Sequence, residues 1–190
     1  MPAGSLTLVA PNARLQASYL AALDELAAEG NGHYFDLVLP AEPGFAGVTY
    51  TRQTLADPGT FAEFCDYTTA LADPGTPKPP AWVTGTYLWM VVDDTVVGRV
   101  SLRHELTPWL LEVGGHIGYA VRPSARRRGC ATAALARVLP VAADLGIDPA
   151  LVTCDEDNVG SRKAIVANGG VLEDVRNGKM RYWLATGRPA

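Results

Sequence analysis

Apolar residues recur three and four positions apart at Leu15, Tyr19, Leu23 and Leu26, a spacing that predicts an amphipathic helix over residues 12–28. Asn12 offers its N-cap and Gly30 its stop. Residues 6–9 ahead of it read as a short strand. The periodicity lapses through the Gly- and Pro-rich stretch "LPAEPGFAGV" (39–48), which reads as a loop. Thr60 followed by Glu63 has the form of a capping box and predicts a second helix over 61–71. The string "ADPGT" at 56–60 recurs at 72–76, and two copies so short are read as repeated turn chemistry.

From Thr86 onward the pattern becomes that of β-strands. "TYLWMVV" and "VVGRVSL" flank Asp93-Asp94 and predict a hairpin. "HIGYAV" follows Gly114-Gly115 as a third strand. A helix over 129–145 then places Ala131, Leu135, Val138, Ala142 and Leu145 on one face, although Pro140 inside it should kink it. "ALVTC" is a strand, 159–168 a helix closed by Gly169-Gly170, and "VLEDV" and "RYWLA" the last two strands. Strand–helix–strand order around Arg126 predicts a parallel pair joined by a right-handed crossover. The hairpins on either side make the sheet mixed. The stretch "DPGTPKPPAW" reads as a loop within one domain, because the first ~70 residues hold too few strands to close a core of their own.

Composition narrows the class. Of 190 residues, 48% are hydrophobic and 19% charged, as in a globular chain that buries a sizeable core. The net charge of −4 argues against a nucleic-acid partner and mildly favours a cationic substrate. No apolar stretch approaches the ~20 residues of a membrane span, and the start shows no basic segment leading into an apolar run. Three cysteines, Cys65, Cys130 and Cys154, lack metal-site spacing. The expectation is a reduced, cytoplasmic protein without a metal.

One stretch carries distinctive chemistry. "VRPSARRRGCAT" (121–132) sets three arginines where a strand ends and a helix begins. A helix start presents free backbone N–H groups and the positive end of its dipole, which together attract anions. Gly129 lets backbone approach the anion without a Cβ in the way. Ala131 keeps the next turn slim and Thr132 adds a hydroxyl. Arg126, Arg127 and Arg128 supply charge for more than one phosphate. A solvated basic corner would have the same spacing. Neither a Gly-Lys-Ser/Thr ending nor a three-glycine fingerprint is present, so a P-loop and a dinucleotide motif are excluded.

The same run resembles the pyrophosphate-binding motif of the GNAT acetyltransferases, Arg/Gln-x-x-Gly-x-Gly/Ala, matched by Arg126, Gly129 and Ala131. "CDEDNVGSRKAIVANGG" is similar to the family's second motif, with Asn158 and Ser161 at the next helix start. The resemblance covers roughly residues 98–175. "GRVSLRHEL", "GGHIGY" and the "RYW" ending are similar to a group of predicted bacterial acetyltransferases of unassigned substrate.

The resemblance implies an α/β GNAT fold: a mixed, mostly antiparallel sheet of six or seven strands flanked by helices, splayed between its fourth and fifth strands. It implies a single domain over 1–190, with acceptor-side elements over about 1–85 and an acetyl-CoA-binding core over about 86–185. The implied activity is acetyl transfer from acetyl-CoA to a primary amine of a small molecule or peptide. The runner-up is an acyl-CoA-binding sensor without efficient transfer. A homodimer is compatible with this fold. Pyrophosphate would lie on residues 126–132, Cys130 included, and pantetheine beside Tyr119–Val121. An N–H near Val121 would hold the thioester oxygen as it becomes an oxyanion. Asn158 would bond the pantetheine amides, with Ser161 close by.

Many members place a tyrosine seven residues after the motif's asparagine as the acid; here that position is Ile165. Catalytic candidates are therefore His116, with a pKa in the useful range, Asp155 and Glu156 at the end of the fifth strand, and Tyr119. Tyr119 alternates with His116, so at most one of the two should enter the slot. Glu112, His104 and Glu105 are weaker candidates. Trp82 and Trp109 are candidates to line the acceptor pocket. Cys130, beside arginines at a helix start, should have a lowered pKa.

Overall fold

The computed structural model describes residues 6–187. The chain runs β1 (Thr7–Val9), α1 (Gln16–Ala27), β2 (Leu37–Leu39), β3 (Val48–Tyr50), α2 (Pro58–Ala70), β4 (Gly85–Val92) and β5 (Thr95–Arg103). A π-helical turn, Leu110–Gly114, leads into β6 (Ile117–Val121), α3 (Cys130–Asp144), β7 (Ala150–Asp155), α4 (Val159–Ala167), β8 (Val171–Arg176) and β9 (Lys179–Leu184). Seven strands form one sheet in the order β1-β4-β5-β6-β7-β9-β8, in which only β6 and β7 pair in parallel. The sheet is thus mixed and mostly antiparallel, with helices on both faces.

Alternation along β4 explains the two layers. Met90 and Val92 enter the core shared with α3 and β7, while Trp89 and Val91 enter a second core on the other face. That second core is built on α1 and the residue before it: Leu15, Tyr19, Leu23 and Leu26 are all buried. Tyr19 packs against Phe35, Phe61, Phe64 and Trp89 with ring centroids 4.6–5.5 Å apart. Asp93 and Asp94 both take left-handed φ, 46° and 56°, the pair of positive angles that a two-residue I′ hairpin requires.

The start of α2 and the strands beside the 39–48 loop differ from the expectation. The cap of α2 is Asp57, whose carboxylate accepts from Thr60 N–H at 2.8 Å, with Pro58 in the first turn, so α2 starts three residues before the capping-box reading. The second copy of the string closes the same region as a turn, Asp73 accepting from Gly75 N–H. The loop at 39–48 is the connection of a separate two-stranded sheet, β2–β3, whose strands of three residues are too short to show a period. Helix α3 runs unbroken through Pro140. Among the described residues no helix is long and apolar enough to cross a membrane.

Candidate active site

The site begins with how β6 meets its neighbours. Arg122 N–H donates to the Val97 carbonyl and the His116 carbonyl accepts from Arg103 N–H, so even-numbered residues turn their backbone toward β5. Tyr119 and Val121 therefore turn theirs toward β7. Yet β6 and β7 share one Cα pairing, Ile117 with Val152. Beyond it the strands part, and the N–H and C=O groups of Tyr119 and Val121 face a gap.

Two cavities open on that gap. The larger, about 820 Å³, is within the size range of small-molecule sites. Val121, Arg126, Arg127 and Gly129 line it, followed by Cys130, Ala131 and Thr132, with Asn158 and Ser161 across from them. Arg128 does not line it. The smaller, about 200 Å³, lies on the side of Arg99, Arg103, Asp155 and Lys179. Tyr34, Tyr119, Ala120, Asn158 and Ser161 line both.

Gly129 caps α3 with a left-handed φ of 79°. The first intrahelical bond is Ala133 N–H to the Gly129 carbonyl, so Cys130, Ala131 and Thr132 present N–H groups with no partner inside the helix. This donor cluster on the large cavity is the chemistry that an anionic, phosphate-bearing ligand needs, and the cavity's length along Tyr119–Val121 suits an extended tail. Residues and ligand class fit.

Arg126 is occupied otherwise: its Nε donates to the Val121 carbonyl at 3.2 Å and its Nη1 pairs with Glu29 at 2.8 Å. Glu25, one turn earlier on α1, accepts from Arg122, and from Ser124 through N–H and Oγ, both at 2.9 Å. The Arg122 guanidinium holds the Glu25 carboxyl at about 2, well below its usual 4.5. Helix α1 thus clamps the loop that carries the arginines. Sequence reading gave Glu25 and Arg122 no role; the i, i+4 carboxylates Glu25 and Glu29 were the available signal.

The candidates for proton transfer separate clearly. His116 lines neither cavity. Its ring Nδ1 accepts from Leu151 N–H at 2.9 Å while its backbone N–H donates to the Leu151 carbonyl at 2.7 Å. Burial, then the Arg103 charge, lowers its pKa from 6.5 to about 4. It is a neutral acceptor that ties the foot of the gap, which corrects its placement as a base in the slot. Tyr119 faces both cavities, and its hydroxyl lies 2.7 Å from Ser161 Oγ. Burial pushes that phenol up to about 12, the Ser161 bond opposing. Asp155 lines the small cavity, ion-paired with Lys179. Glu156 is exposed and lines neither cavity.

Asn158 caps α4, its Oδ1 accepting from Ser161 N–H at 3.0 Å, and its Nδ2 group is left as a donor on the large cavity. Ile165, seven residues after Asn158, is wholly buried in the core. Cys130 is also buried, and burial raises its pKa more than Arg128 lowers it, the reverse of the expectation from helix position. Glu112 pairs with Arg176, His104 bonds Thr86, and neither they nor Glu105, Trp82 and Trp109 line either of the two cavities. Among the described residues no group of three or more His, Cys, Asp or Glu is placed to hold a metal.

Comparison with known proteins agrees with this geometry. No curated protein sequence matches the chain. Solved structures share its fold: Mycobacterium smegmatis RimJ in complex with CoA-disulfide aligns at TM-score 0.64 and 18% identity, over 97% of this chain and 83% of that one. The microcin C7 self-immunity acetyltransferase MccE, in complex with acetyl-CoA and AMP, aligns at 0.61 and 14%, over 96% and 93%. Salmonella typhimurium yncA with acetyl-CoA aligns at 0.55 and 12%, over 98% and 97%. A sequence model of the acetyltransferase (GNAT) domain matches residues 48–171, well over half of the chain. The splayed strands, the arginine loop at a glycine-capped helix and that match lead to one conclusion: this chain belongs to the GNAT acetyltransferase family.

Proposed function

We propose that this protein is an acetyl-CoA-dependent N-acetyltransferase that acts on a primary amine of a small molecule or peptide, by direct attack within a ternary complex. The observation that carries this reading is the junction of the two cavities. Tyr119, Ala120, Asn158 and Ser161 line both, so a ligand in each would meet at the gap between β6 and β7. Acetyl-CoA, when bound, supplies the activated acyl group as a thioester.

The chain's own residues divide the work. The first-turn N–H groups of α3 and the Arg127 side chain bind pyrophosphate. Asn158 Nδ2 and the backbone of Tyr119 and Val121 orient the pantetheine. The Val121 N–H, turned to the gap, polarises the thioester oxygen. Asp155 orients the amine and passes its proton to water. The Tyr119 hydroxyl, which keeps its proton at neutral pH, and Ser161 donate to the departing sulfur in place of a tyrosine at Ile165.

The test is thiol release from acetyl-CoA across a panel of primary amines, with product mass determined. Amine-dependent release with one acetyl group on the amine is the expected result. Acetyl-CoA binding without transfer to any amine would leave only an acyl-CoA-binding module.

A further inference from the structure

The smaller cavity has a charge pattern that acetyl transfer by itself does not call for. Its charged residues are Arg99, Arg103, Lys179 and Asp155. Asp155 is already paired with Lys179. The two guanidinium groups of Arg99 and Arg103 are left in one small space, and neither forms an ion pair among the described residues.

Their placement follows from the strand. Arg99, Ser101 and Arg103 alternate along β5 and share one face of the sheet. Across from them on β6 stand Ala120 and Gly118, which leave the space above the backbone open. A Cβ on Gly118 would lie 3.1 Å from Ser101 Oγ and 3.7 and 3.9 Å from the two Arg103 terminal nitrogens, so these polar atoms gather over bare backbone. Arg103 is fixed there, its Nη1 donating to the carbonyls of Gly114 at 3.2 Å and Gly115 at 3.1 Å. The Arg99 side chain makes no hydrogen bond or ion pair among the described residues, although its backbone pairs within the sheet. The two charges disfavour one another, and an anion between them would relieve that repulsion.

We infer that the acceptor amine carries an anionic group of its own, a carboxylate or phosphonate, held by Arg99 and Arg103 with the Ser101 hydroxyl beside them. The inference rests on the acetyl transfer proposed above and names its substrate class. A cavity of about 200 Å³ is below the range of drug-sized sites, so the acceptor, or the part of it that enters, is of amino-acid size. The guanidinium fork suits a planar or tetrahedral oxyanion and fixes its orientation. With the anion on β5, the amine points across the gap toward Asp155. The protein's net charge of −4 would favour a cation at long range, but inside the cavity the local pair of arginines decides.

The experiment uses the full chain with acetyl-CoA and matched acceptors: α-amino acids, ω-amino acids and aminoalkylphosphonates, each against its uncharged amide or ester. Coenzyme A binding is measured first by calorimetry. The expected result is a kcat/KM about tenfold or more higher for the charged member of at least one pair. Arg99→Gln should collapse that ratio toward one through KM, and Arg99→Lys should restore part of it. Because the ratio is taken within one protein preparation, partial misfolding lowers both members and leaves it unmoved. Equal or higher kcat/KM for the neutral members, or a ratio untouched by Arg99→Gln, overturns the inference while acetyl transfer stands. Coenzyme A binding with no transfer to any amine overturns the proposed function, and this inference with it.

Discussion

Ile117 and Val152 are the one Cα pair that joins β6 to β7, and the residue before Ile117, His116, bonds Leu151 through both ring and backbone. The sheet is therefore zipped at a single point and open immediately beyond it. A gap of this kind is held by the strength of its foot, which makes His116 a positioning residue.

His116→Ala should leave the Leu151 N–H buried without an acceptor and destabilise the protein by about 1–3 kcal/mol. The folded state keeps the ring neutral down to about pH 4, whereas the unfolded chain takes up a proton from about 6.5. The unfolded state thus binds more protons between those values, so this contribution is complete above pH 6.5 and fades as pH falls toward 4. Thermal melts from pH 4 to 8 should show that slope in the wild type and a shallower one in the variant.

Glu25→Gln tests the clamp between α1 and the arginine loop. The Glu25 carboxyl is depressed from 4.5 to about 2, so its contribution is full above 4.5 and is lost as pH falls toward 2, a window below that of His116. The variant should lose about 1.5–3 kcal/mol at pH 7, as expected for hydrogen bonds to a charged group. It should also bind coenzyme A more weakly, since Ser124 and Arg122 would no longer be tethered. Denaturant melts and calorimetry read the two effects separately.

Gly129→Val should lose most coenzyme A affinity while the far-ultraviolet circular dichroism stays native. The φ of 79° disfavours a side chain by about 1–2 kcal/mol, and the added bulk stands where backbone must approach phosphate. Unchanged affinity in a folded variant would return the arginine loop to a solvated corner.

Tyr119→Phe and Ser161→Ala should each lower kcat by about tenfold or more with little change in coenzyme A affinity. The pair should lose little beyond either single change, because both act through one hydrogen bond. With Tyr119 held near 12, neither variant should shift a limb of the rate profile between pH 6 and 9.

Much of this was legible in the chain. The spacing of Leu15, Tyr19, Leu23 and Leu26 gives α1, Asp93-Asp94 gives the hairpin, and residues 121–132 mark the arginine loop and the start of α3. The rest depends on contacts between distant residues. Arg122 meets Glu25 from 97 positions away, a pairing no local pattern announces. The burial of Cys130, which reverses its expected pKa, follows from α3 packing on the sheet. Alternation alone puts Arg99, Ser101 and Arg103 on one face, but that the face is a cavity beside the gap depends on which strand lies next to β5. His116 looked free as a base because its partner, Leu151, lies on a strand the sequence does not align with it.

The central claim is that the glycine-capped start of α3 grips the pyrophosphate of acetyl-CoA. Calorimetry of acetyl-CoA, coenzyme A and pantetheine into the purified protein tests it most directly. Micromolar binding of the first two, weakened sharply for pantetheine, is the result predicted. Equal affinity for all three, or no binding of any, would contradict it.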